Sequence, residues 1–543
     1  MITFVLWSDL VSQLLSLSFG LPFWATPTTA SISAQLLGQF GSSALSAWVI
    51  PCITTAAAVT ILLFTANSDL FGRRWFMLAA NVITGVGYIV CARANSHMML
   101  IAGLSLNGCG SGMAGIALIA VPELLPNKFR HIGVVLADGF VYIMIIIGPI
   151  VGRYAIRGGG DAWRWLYWAG FIGEVIAIAG LMVFYHPPKQ PRGISAREAL
   201  KGLDWVGAIL FTLGCVLVLV GMVYTSYISS TDPRVLVTLC LGFAFIVAFG
   251  LWERFSNVRF PLCPKDIFTS NKGREFTAPF CLTFILVGFF YGSAVIYPTT
   301  INAFYIDENT SISEELLLTL PNTVGILVGA ALLSTFGNKI GHWRWQLIIS
   351  TFSLVLWGSM FATVTPYNKK QILAFAVLGQ ISYGWSVYLS VAYTQLGVPQ
   401  EMLGVSGGLA GTARYAGGAV AAASLSTALS NGIATRVPQL VPEAALKAGL
   451  PQGSLDAVVA AASQGAAALK AIPGVNDRVV EAVTDAYKWS VAYGLRNTAL
   501  ASMAFGVVGI ALAFYCEDIT PKMTNKIEVF LENDALAEKN AHH

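Results

Sequence analysis

Residues 68–78 read SDLFGRRWFML and place three charged residues, Asp69, Arg73 and Arg74, between two long apolar runs. Gly72 permits a tight turn between two helices because it has no Cβ, and Asp69 can cap or pair at a nearby helix N-terminus. The two arginines can meet carboxylates or lipid phosphates. The pattern predicts a hinge that holds one conformation closed, although the arginines alone would also serve as a simple membrane anchor.

The composition indicates a membrane protein. Of 543 residues, 56% are hydrophobic and 11% are charged, whereas roughly a quarter of a typical soluble domain is charged. The net charge of +4 is small for this length and gives no support for nucleic-acid binding. The eight cysteines are scattered without the spacing of a metal site. We therefore expect no metal and no cofactor.

Long apolar runs recur along the whole chain. A bilayer core of about 30 Å needs roughly 20 apolar residues in a helix, and runs this continuous span lipid as helices. The sequence therefore predicts an all-α integral membrane protein with fourteen spans, near residues 4–26, 45–66, 75–95, 98–121, 131–154, 165–185, 205–224, 234–252, 276–298, 316–336, 345–365, 371–393, 404–430 and 493–516.

The lysines and arginines of the short loops predict the orientation. With the N-terminus inside, fifteen of them lie in cytoplasmic loops and seven in the opposite short loops, so both termini are expected inside. The sequon Asn309-Thr310-Ser311 then falls in an outside loop, where Asn309 could be glycosylated or could match by chance.

Two segments are expected outside the membrane. Residues 186–204 are Pro-rich and basic, and they predict a cytoplasmic linker with a short amphipathic helix. Residues 431–492 are Ala-rich and external, with helix starts suggested at Ser454 and at Asn476, whose side-chain oxygens can cap free backbone N–H groups. This segment could be a lid or a solvated connector.

A weak internal repeat suggests the domain plan. Residues 338–344, NKIGHWR, place Gly341 three residues after Asn338, as Gly72 lies three after Asp69. Transporters commonly consist of two related bundles with a binding site between them. The repeat predicts a six-helix bundle over 1–185, a linker with two extra spans over 186–275, a second six-helix bundle over 276–516 and a cytoplasmic tail over 517–543.

Several stretches resemble known transporter motifs. SDLFGRR resembles the loop motif of the major facilitator superfamily, whose members are secondary transporters. Residues 147–152, IGPIVG, resemble the antiporter motif of exporters, in which Pro149 bends the helix and Gly148 and Gly152 allow close helix contact. That resemblance implies a seal against leak, although Gly/Pro kinks occur in many membrane helices.

Other stretches narrow the family. Residues 163–168, WRWLYW, and 203–207, LDWVG, resemble the fourteen-span drug:proton antiporter branch. Residues 122–130, PELLPNKFR, 413–420, ARYAGGAV, and 523–534, MTNKIEVFLEND, look like the fungal trichothecene efflux pump family, which lies close to fungal siderophore transporters. The resemblance implies the major facilitator fold, with two six-helix bundles plus two extra central helices.

Ionisable groups inside a membrane are costly and suggest function. Asp138, Glu174 and Arg414 lie within predicted spans. Asp138 lies one helical turn before Tyr142 and could carry a proton, or it could be solvated at the cytoplasmic end. Glu174 could also pair structurally with a neighbour. Arg414 could attract an anionic substrate or pair with a buried acid.

Polar and aromatic groups in other spans are candidates for a substrate cavity, because they suit a bulky amphipathic organic molecule better than an inorganic ion. They could equally serve as packing. These candidates are Asn107, Gln380, Tyr383, Trp385 and Tyr388.

The motifs favour transport over catalysis. No Walker loop and no HExxH metalloprotease motif is present in the sequence, so proton-motive force is the expected energy source. The leading hypothesis is a monomeric antiporter that exports a mycotoxin, another secondary metabolite or a drug across a fungal plasma membrane, or across a vacuolar or vesicle membrane. The alternatives are ferric-siderophore uptake and a transporter-like sensor that signals without flux.

Overall fold

The computed structural model describes residues 2–32, 36, 40, 48–157, 159–187, 196–225, 228–229, 231–306, 310–527 and 529. The long helices of these residues are labelled in chain order: α1 Ile2–Gly20, α2 Val49–Phe71, α3 Arg73–Ala92, α4 His97–Ala114, α5 Gly139–Arg157, α6 Arg164–Phe184, α7 Trp205–Tyr224, α8 Pro233–Phe255, α9 Thr277–Phe304, α10 Ile312–Ile340, α11 Trp343–Ser359, α12 Lys369–Leu396, α13 Leu403–Lys447 and α14 Asp477–Tyr515. We call residues 2–184 the N-terminal half and residues 277–515 the C-terminal half.

Twelve helices of the described chain are long and apolar enough to cross a membrane. Each coincides with one of the fourteen predicted spans. The remaining two predicted spans fall on α1 and α13, which are outside that set. The structure therefore confirms the all-helical membrane architecture but leaves the count of fourteen spans a prediction.

Polar residues start the helices where the chain leaves a loop. The side chains of Ser96, Asp204, Asp232, Ser311 and Asn476 each accept a hydrogen bond from a backbone N–H of the first turn that follows. Such caps satisfy donors that have no partner within the helix. The start predicted at Asn476 is confirmed, since its side chain caps Val479 at 2.9 Å.

Both predicted glycine turns are present at equivalent junctions. Gly72 separates α2 from α3 with φ of +85°, and Gly341 separates α10 from α11 with φ of +60°. Residues other than glycine rarely adopt positive φ values of this size. The end of the molecule that carries these two turns is called the inner end, because the charge pattern predicts that it is cytoplasmic.

The two halves meet along paired helices. α2 packs against α13, and α5 packs against α10. Glycines on α13 allow the close approach: a Cβ at Gly408 would lie 3.2 Å from Leu62, and a Cβ at Gly411 would lie 2.1 Å from Ile61. The interface between the halves therefore depends on small residues, as is common between membrane helices.

The two extra helices α7 and α8 pack on each other beside α2 and α13. Their outer faces are apolar and exposed, with Ile209 58%, Val247 60% and Leu251 53% exposed. A surface of this kind requires lipid around it. The short helix predicted in the preceding linker is present as Ala196–Gly202, while residues 188–195 lie outside the described part of the chain.

The segment 431–492, predicted to be external, extends two of the long helices. α13 continues past the predicted span limit near residue 430 to Lys447, and α14 begins at Asp477, where a helix start was predicted, well before the predicted span that starts near 493. Short helices Leu455–Ala461 and Ala466–Lys470 close the end of this pair. Val441, Leu450, Val458, Leu469 and Val483 form a separate buried cluster there. The alanine-rich composition did not predict this cluster, because an alanine on a helix can be either buried or exposed to solvent.

Candidate functional site

The inner end carries a contact between the halves at Asp69. This carboxylate lies at the C-terminal end of α2 and accepts a hydrogen bond from the backbone N–H of Gly404 at 2.8 Å. Gly404 is in the first turn of α13, where N–H groups are free and the helix dipole favours a negative charge. Asp69 is only 3% exposed. The predicted contact of Asp69 with a helix N-terminus is present, and its partner belongs to the other half.

Arg73 is buried beside two carboxylates. Its guanidinium donates to both carboxylate oxygens of Glu123 and lies 3.5 Å from Asp69. Such a bidentate pair fixes the arginine in one orientation. Arg73 and Glu123 are 8% and 4% exposed, so each charge depends on the other: removal of either would leave a buried charge without its main partner.

Glu123 and Arg130 reach across to the C-terminal half. The Gln400 side chain donates to Glu123 at 2.8 Å and accepts from Arg130 at 3.2 Å. The Gln395 side chain donates to the Leu118 carbonyl at 2.8 Å. We call Asp69, Arg73, Glu123, Arg130, Gln400 and Gly404 the inner cluster, which joins the halves at the inner end.

Arg74 has a different environment from Arg73. It donates to the Met182 carbonyl near the end of α6 at 2.8 Å. In the C-terminal half, Arg344 donates to the Phe514 carbonyl near the end of α14 at 2.5 Å. The two arginines therefore occupy equivalent places after equivalent glycine turns. They satisfy helix C-terminal carbonyls, which favour a positive charge.

A cavity of about 200 Å³ lies between the halves. Both halves contribute to its lining, with Phe23, Tyr142 and Ile145 on one side and Phe290, Tyr383 and Arg414 on the other. The rings of Phe290 and Tyr383 stack with their centroids 4.4 Å apart. The cavity lining is thus mostly apolar and aromatic, and it also presents tyrosine hydroxyls, Asn322, Thr323 and Arg414. Such a mixture is typical of sites for organic molecules.

One ion pair bridges the halves beside this cavity. The Arg414 guanidinium lies 2.8 Å from the Asp138 carboxylate, and Asp138 is 1% exposed. The interpretation of Asp138 as a solvated residue is therefore wrong. Its other oxygen, Oδ1, has no hydrogen-bond partner among the described residues. Of the two predictions for Arg414, pairing with a buried acid is the one that the structure contains.

A second contact between the halves involves two tyrosines. The Tyr388 hydroxyl donates to the Tyr142 hydroxyl at 2.7 Å, and Tyr142 lies one helical turn after Asp138. Asp138 lies between the short helix Arg130–Ala137 and α5, and its carboxylate is directed at Arg414. Asp138, Tyr142, Tyr388 and Arg414 therefore form one polar group across the interface, which we call the central group.

The other predicted residues lie at differing distances from this group. Gln380 donates to Asn322, a cavity-lining residue, at 2.8 Å. Asn107, Glu174 and Trp385 are not among the residues that line the cavity. Asn107 packs against Gly87 in the N-terminal half, and both Glu174 oxygens are buried without a hydrogen-bond partner among the described residues. These three were grouped with the site on polarity alone, which does not determine the direction a side chain faces.

The remaining motif residues lie within the N-terminal half. A Cβ at Gly148 would be 3.0 Å from both Pro27 and Thr28, so the glycine permits close contact with the helix Ala25–Ser31. Pro149 lies inside α5 without ending it, and Gly152 is buried. Asn309 lies outside the described residues.

Comparisons with known proteins identify the family of this chain. The family model described as fungal trichothecene efflux pump (TRI12) matches residues 13–542. The chain belongs to this efflux pump family. The MFS-type transporter prx5 of Penicillium rubens is 40% identical over 95% of this chain and 92% of its own length. Trichothecene efflux pump TRI12 of Fusarium sporotrichioides is 25% identical over 96% and 87%.

Solved structures confirm the fold. The human organic anion transporter MFSD10 (TETRAN) aligns with a TM-score of 0.56 at 12% identity, covering 93% of this chain and 99% of its own. The proton:xylose symporter XylE aligns with a TM-score of 0.54 at 14% identity, covering 78% and 89%. The protein thus has the major facilitator fold and is a multi-pass membrane transporter rather than an enzyme.

Sequence reasoning on this efflux pump family member missed part of the inner cluster. Glu123 and Arg130 stand in the family-like stretch PELLPNKFR, yet no role was predicted for them. A buried acid paired with the hinge arginine could have been sought in the loop after the fourth span. Gln395 and Gln400 carry no comparable signal, because an uncharged amide near a helix end is common in any loop.

Proposed function

We propose that the protein is a proton-coupled antiporter that exports a fungal secondary metabolite, mycotoxin or drug by alternating access. The observation that carries this proposal is the Asp138–Arg414 ion pair, which joins the halves at 2.8 Å beside an aromatic cavity. Protonation of Asp138 would remove its charge and weaken the attraction to Arg414. Proton binding would thereby change a contact that must break when the halves move apart.

The inner cluster supplies the second part of the proposed cycle. Asp69 holds the first turn of α13, and Gln400 contacts both Glu123 and Arg130. These contacts join the halves at the inner end in this conformation. We propose that they form the cytoplasmic gate, which closes while the cavity communicates with the outside and breaks when the cavity loads from the cytoplasm.

The proposed arrangement in the membrane follows the charge pattern. Two six-helix bundles, residues 1–185 and 276–516, flank the insert 186–275, and both termini are cytoplasmic in the plasma membrane. Gly148, Pro149 and Gly152 would seal the N-terminal bundle against leak. The family and the relatives that are named as efflux pumps support export over uptake.

Transport in vesicles tests this proposal. Inside-out vesicles from yeast that express the protein would be supplied with a radiolabelled trichothecene and an inwardly acidic proton gradient. We expect accumulation in the vesicles that stops when a protonophore collapses the gradient. The matched control is Asp138→Asn, which removes the titrating carboxylate at nearly constant size and should abolish the dependence on the gradient.

The other outcomes identify the alternatives. Accumulation that persists after collapse of the gradient would contradict proton antiport. Uptake of a labelled ferric siderophore by intact cells would indicate a siderophore importer. Saturable binding of the trichothecene without any flux would indicate a sensor.

A further inference from the structure

The segment that follows α14 crosses from one half of the molecule to the other. We call residues 516–527 the tail segment. Cys516 and Ile519 are buried at 0% and 4% exposure, and Lys522 lies 3.0 Å from the Glu275 carboxylate. Met523 packs against the large apolar core of the molecule. The tail segment is therefore anchored at Glu275, just before α9, and on the apolar core before it reaches residues 127 and 128 of the N-terminal half.

The tail segment then binds the N-terminal half through its backbone. The Lys128 N–H donates to the Thr524 carbonyl at 2.9 Å, and the Asn127 N–H donates to the Lys526 carbonyl at 3.0 Å. Asn127 and Lys128 lie in the first turn of the short 3-10 helix Asn127–Phe129, where N–H groups have no partner within the helix. The two carbonyls are two residues apart, as in an extended strand. The tail thus caps a loop of the other half.

That loop lies between two residues of the inner cluster. Glu123 precedes it and Arg130 follows it, and both side chains contact Gln400 in the C-terminal half. Any motion that separates Glu123 and Arg130 from Gln400 would also move Asn127 and Lys128 away from the end of α14. In that motion, either the hydrogen bonds from Asn127 and Lys128 to the tail carbonyls must break, or the tail must detach from Glu275 and the apolar core.

We propose that the tail segment is a strap that holds the inner end closed, and that the inner end opens only when the strap leaves Asn127 and Lys128. The proposal rests on the alternating-access cycle described above. It assigns the tail a conformational role, which is to set the fraction of molecules open to the cytoplasm. Because the bonds use backbone groups, that role depends on tail path and length more than on side chains.

A proline substitution removes one strap bond without shortening the chain. Asn127→Pro eliminates the N–H that donates to Lys526. Proline fits this position because it is the first residue of a helical turn and because Pro126 has ψ of 144°, which is compatible with a following proline. Asn127→Ala is the matched control, since it removes the same side chain but keeps the N–H.

Cysteine labelling reports the opening. Ile119 is 0% exposed and faces Gly407 of the C-terminal half, so Ile119→Cys is protected while the inner end is closed. The probe is a membrane-impermeant maleimide applied to inside-out vesicles, with labelling of the native cysteines subtracted from the same variants without Ile119→Cys. We expect Asn127→Pro to raise the labelling rate about fivefold, as for the loss of one hydrogen bond, and Asn127→Ala to leave it within about twofold.

A truncation provides a second route if the proline variant does not fold. Deletion of residues 524–543 removes both acceptor carbonyls and should raise labelling at least as much as Asn127→Pro. Equal labelling of the proline, alanine and full-length proteins, or unchanged labelling after truncation, would overturn the strap. A different outcome separates the two proposals. If none of these proteins shows proton-driven transport but the labelling rates still differ, the proposed antiport is wrong and the strap is not.

Discussion

The Asp69 carboxylate and the Gly404 backbone N–H lie 2.8 Å apart, and this single bond ties the end of α2 to the start of α13. A carboxylate in this position stabilises a helix N-terminus by about 1 kcal/mol. The bond therefore favours the closed inner end by a factor of about five, a bias small enough for a transport cycle to reverse.

Gly404→Ala should break this bond without unfolding the protein. The new Cβ would lie 2.4 to 2.5 Å from the Asp69 carboxylate atoms, and the carboxylate can rotate away at the loss of its hydrogen bond. We expect faster labelling of Ile119→Cys from the inner side, by about fivefold. Gly250→Ala is the control, because a Cβ there meets nothing within 4 Å. Equal labelling of the two variants would mean that the cap does not hold the inner end closed.

The two arginines of the hinge should respond differently to alanine. Arg73→Ala leaves Glu123 buried without its partner and should lower the free energy of unfolding by about 3 to 5 kcal/mol. Arg74→Ala loses one bond to the Met182 carbonyl at the surface and should lower it by about 1 kcal/mol or less. Thermal unfolding in detergent measures both.

A double variant separates charge from packing in this pair. Glu123→Gln in the Arg73→Ala background removes the uncompensated charge and should recover part of the loss. If Arg74→Ala is as damaging as Arg73→Ala, the buried pair is not the source of the stability.

The central ion pair should show coupling in a double-mutant cycle. Arg414→Gln leaves the buried Asp138 charge unpaired and should destabilise the protein by about 3 kcal/mol or more, whereas Asp138→Asn leaves the partly exposed Arg414 unpaired and should cost less. The double variant leaves neither charge, and we expect a coupling energy above about 1 kcal/mol from unfolding measurements. Proton-driven transport should be lost in all three variants. Additive losses of stability would show that the two residues act independently.

The anchor of the tail segment should depend on pH. Burial opposes ionisation of Glu275, but hydrogen bonds from Ser270 and Lys522 outweigh it and hold the pKa of this carboxyl below its ordinary value of 4.5. A lowered pKa means that the ion pair contributes its stability above that ordinary value and loses it as the pH falls through the lower folded-state pKa. Neutral pH therefore leaves the anchor intact.

Hydrogen exchange of residues 516–527 measures this dependence. After correction for intrinsic rates, protection should fall as the pH drops below the ordinary carboxyl value of 4.5. Glu275→Gln should show the lower protection already at neutral pH and little further loss on acidification. Parallel pH profiles for the two proteins would contradict the assignment to Glu275.

Local patterns in the sequence predicted the elements of the fold. The apolar runs located the helices, Gly72 and Gly341 marked the two inner turns, and Asn476 marked the start of α14, because each of these signals acts within a few residues. The helices α13 and α14 are each more than ten residues longer than the spans predicted over 404–430 and 493–516. An apolar run in the sequence marks only the part of a helix that lies in lipid. The helix itself can continue outside the lipid where a neighbouring helix buries one of its faces.

The site was only partly predictable, because its contacts join residues far apart in the sequence. Arg414 and Asp138 were each recognised as costly charges, but 276 positions separate them and nothing local pairs them. Glu174 had the same chemical signal as these charges and does not line the cavity, and neither does Asn107, which was selected as a polar group within a span. The sequence predicted that Asp69 contacts a helix N-terminus, but it did not identify the helix. The partner is the backbone N–H of a glycine, which no side chain marks in the sequence.

The extension of α13 and α14 beyond their predicted spans has a practical consequence for imaging. A membrane protein of 58.0 kDa with little mass outside the detergent micelle is hard to orient in electron micrographs. Here two helices continue as a pair, closed by the buried cluster around Val441 and Val458. This protrusion breaks the pseudo-twofold symmetry of the helices and gives each particle a built-in marker of its direction. A fusion partner or antibody fragment held there would enlarge the marker without touching the inner end.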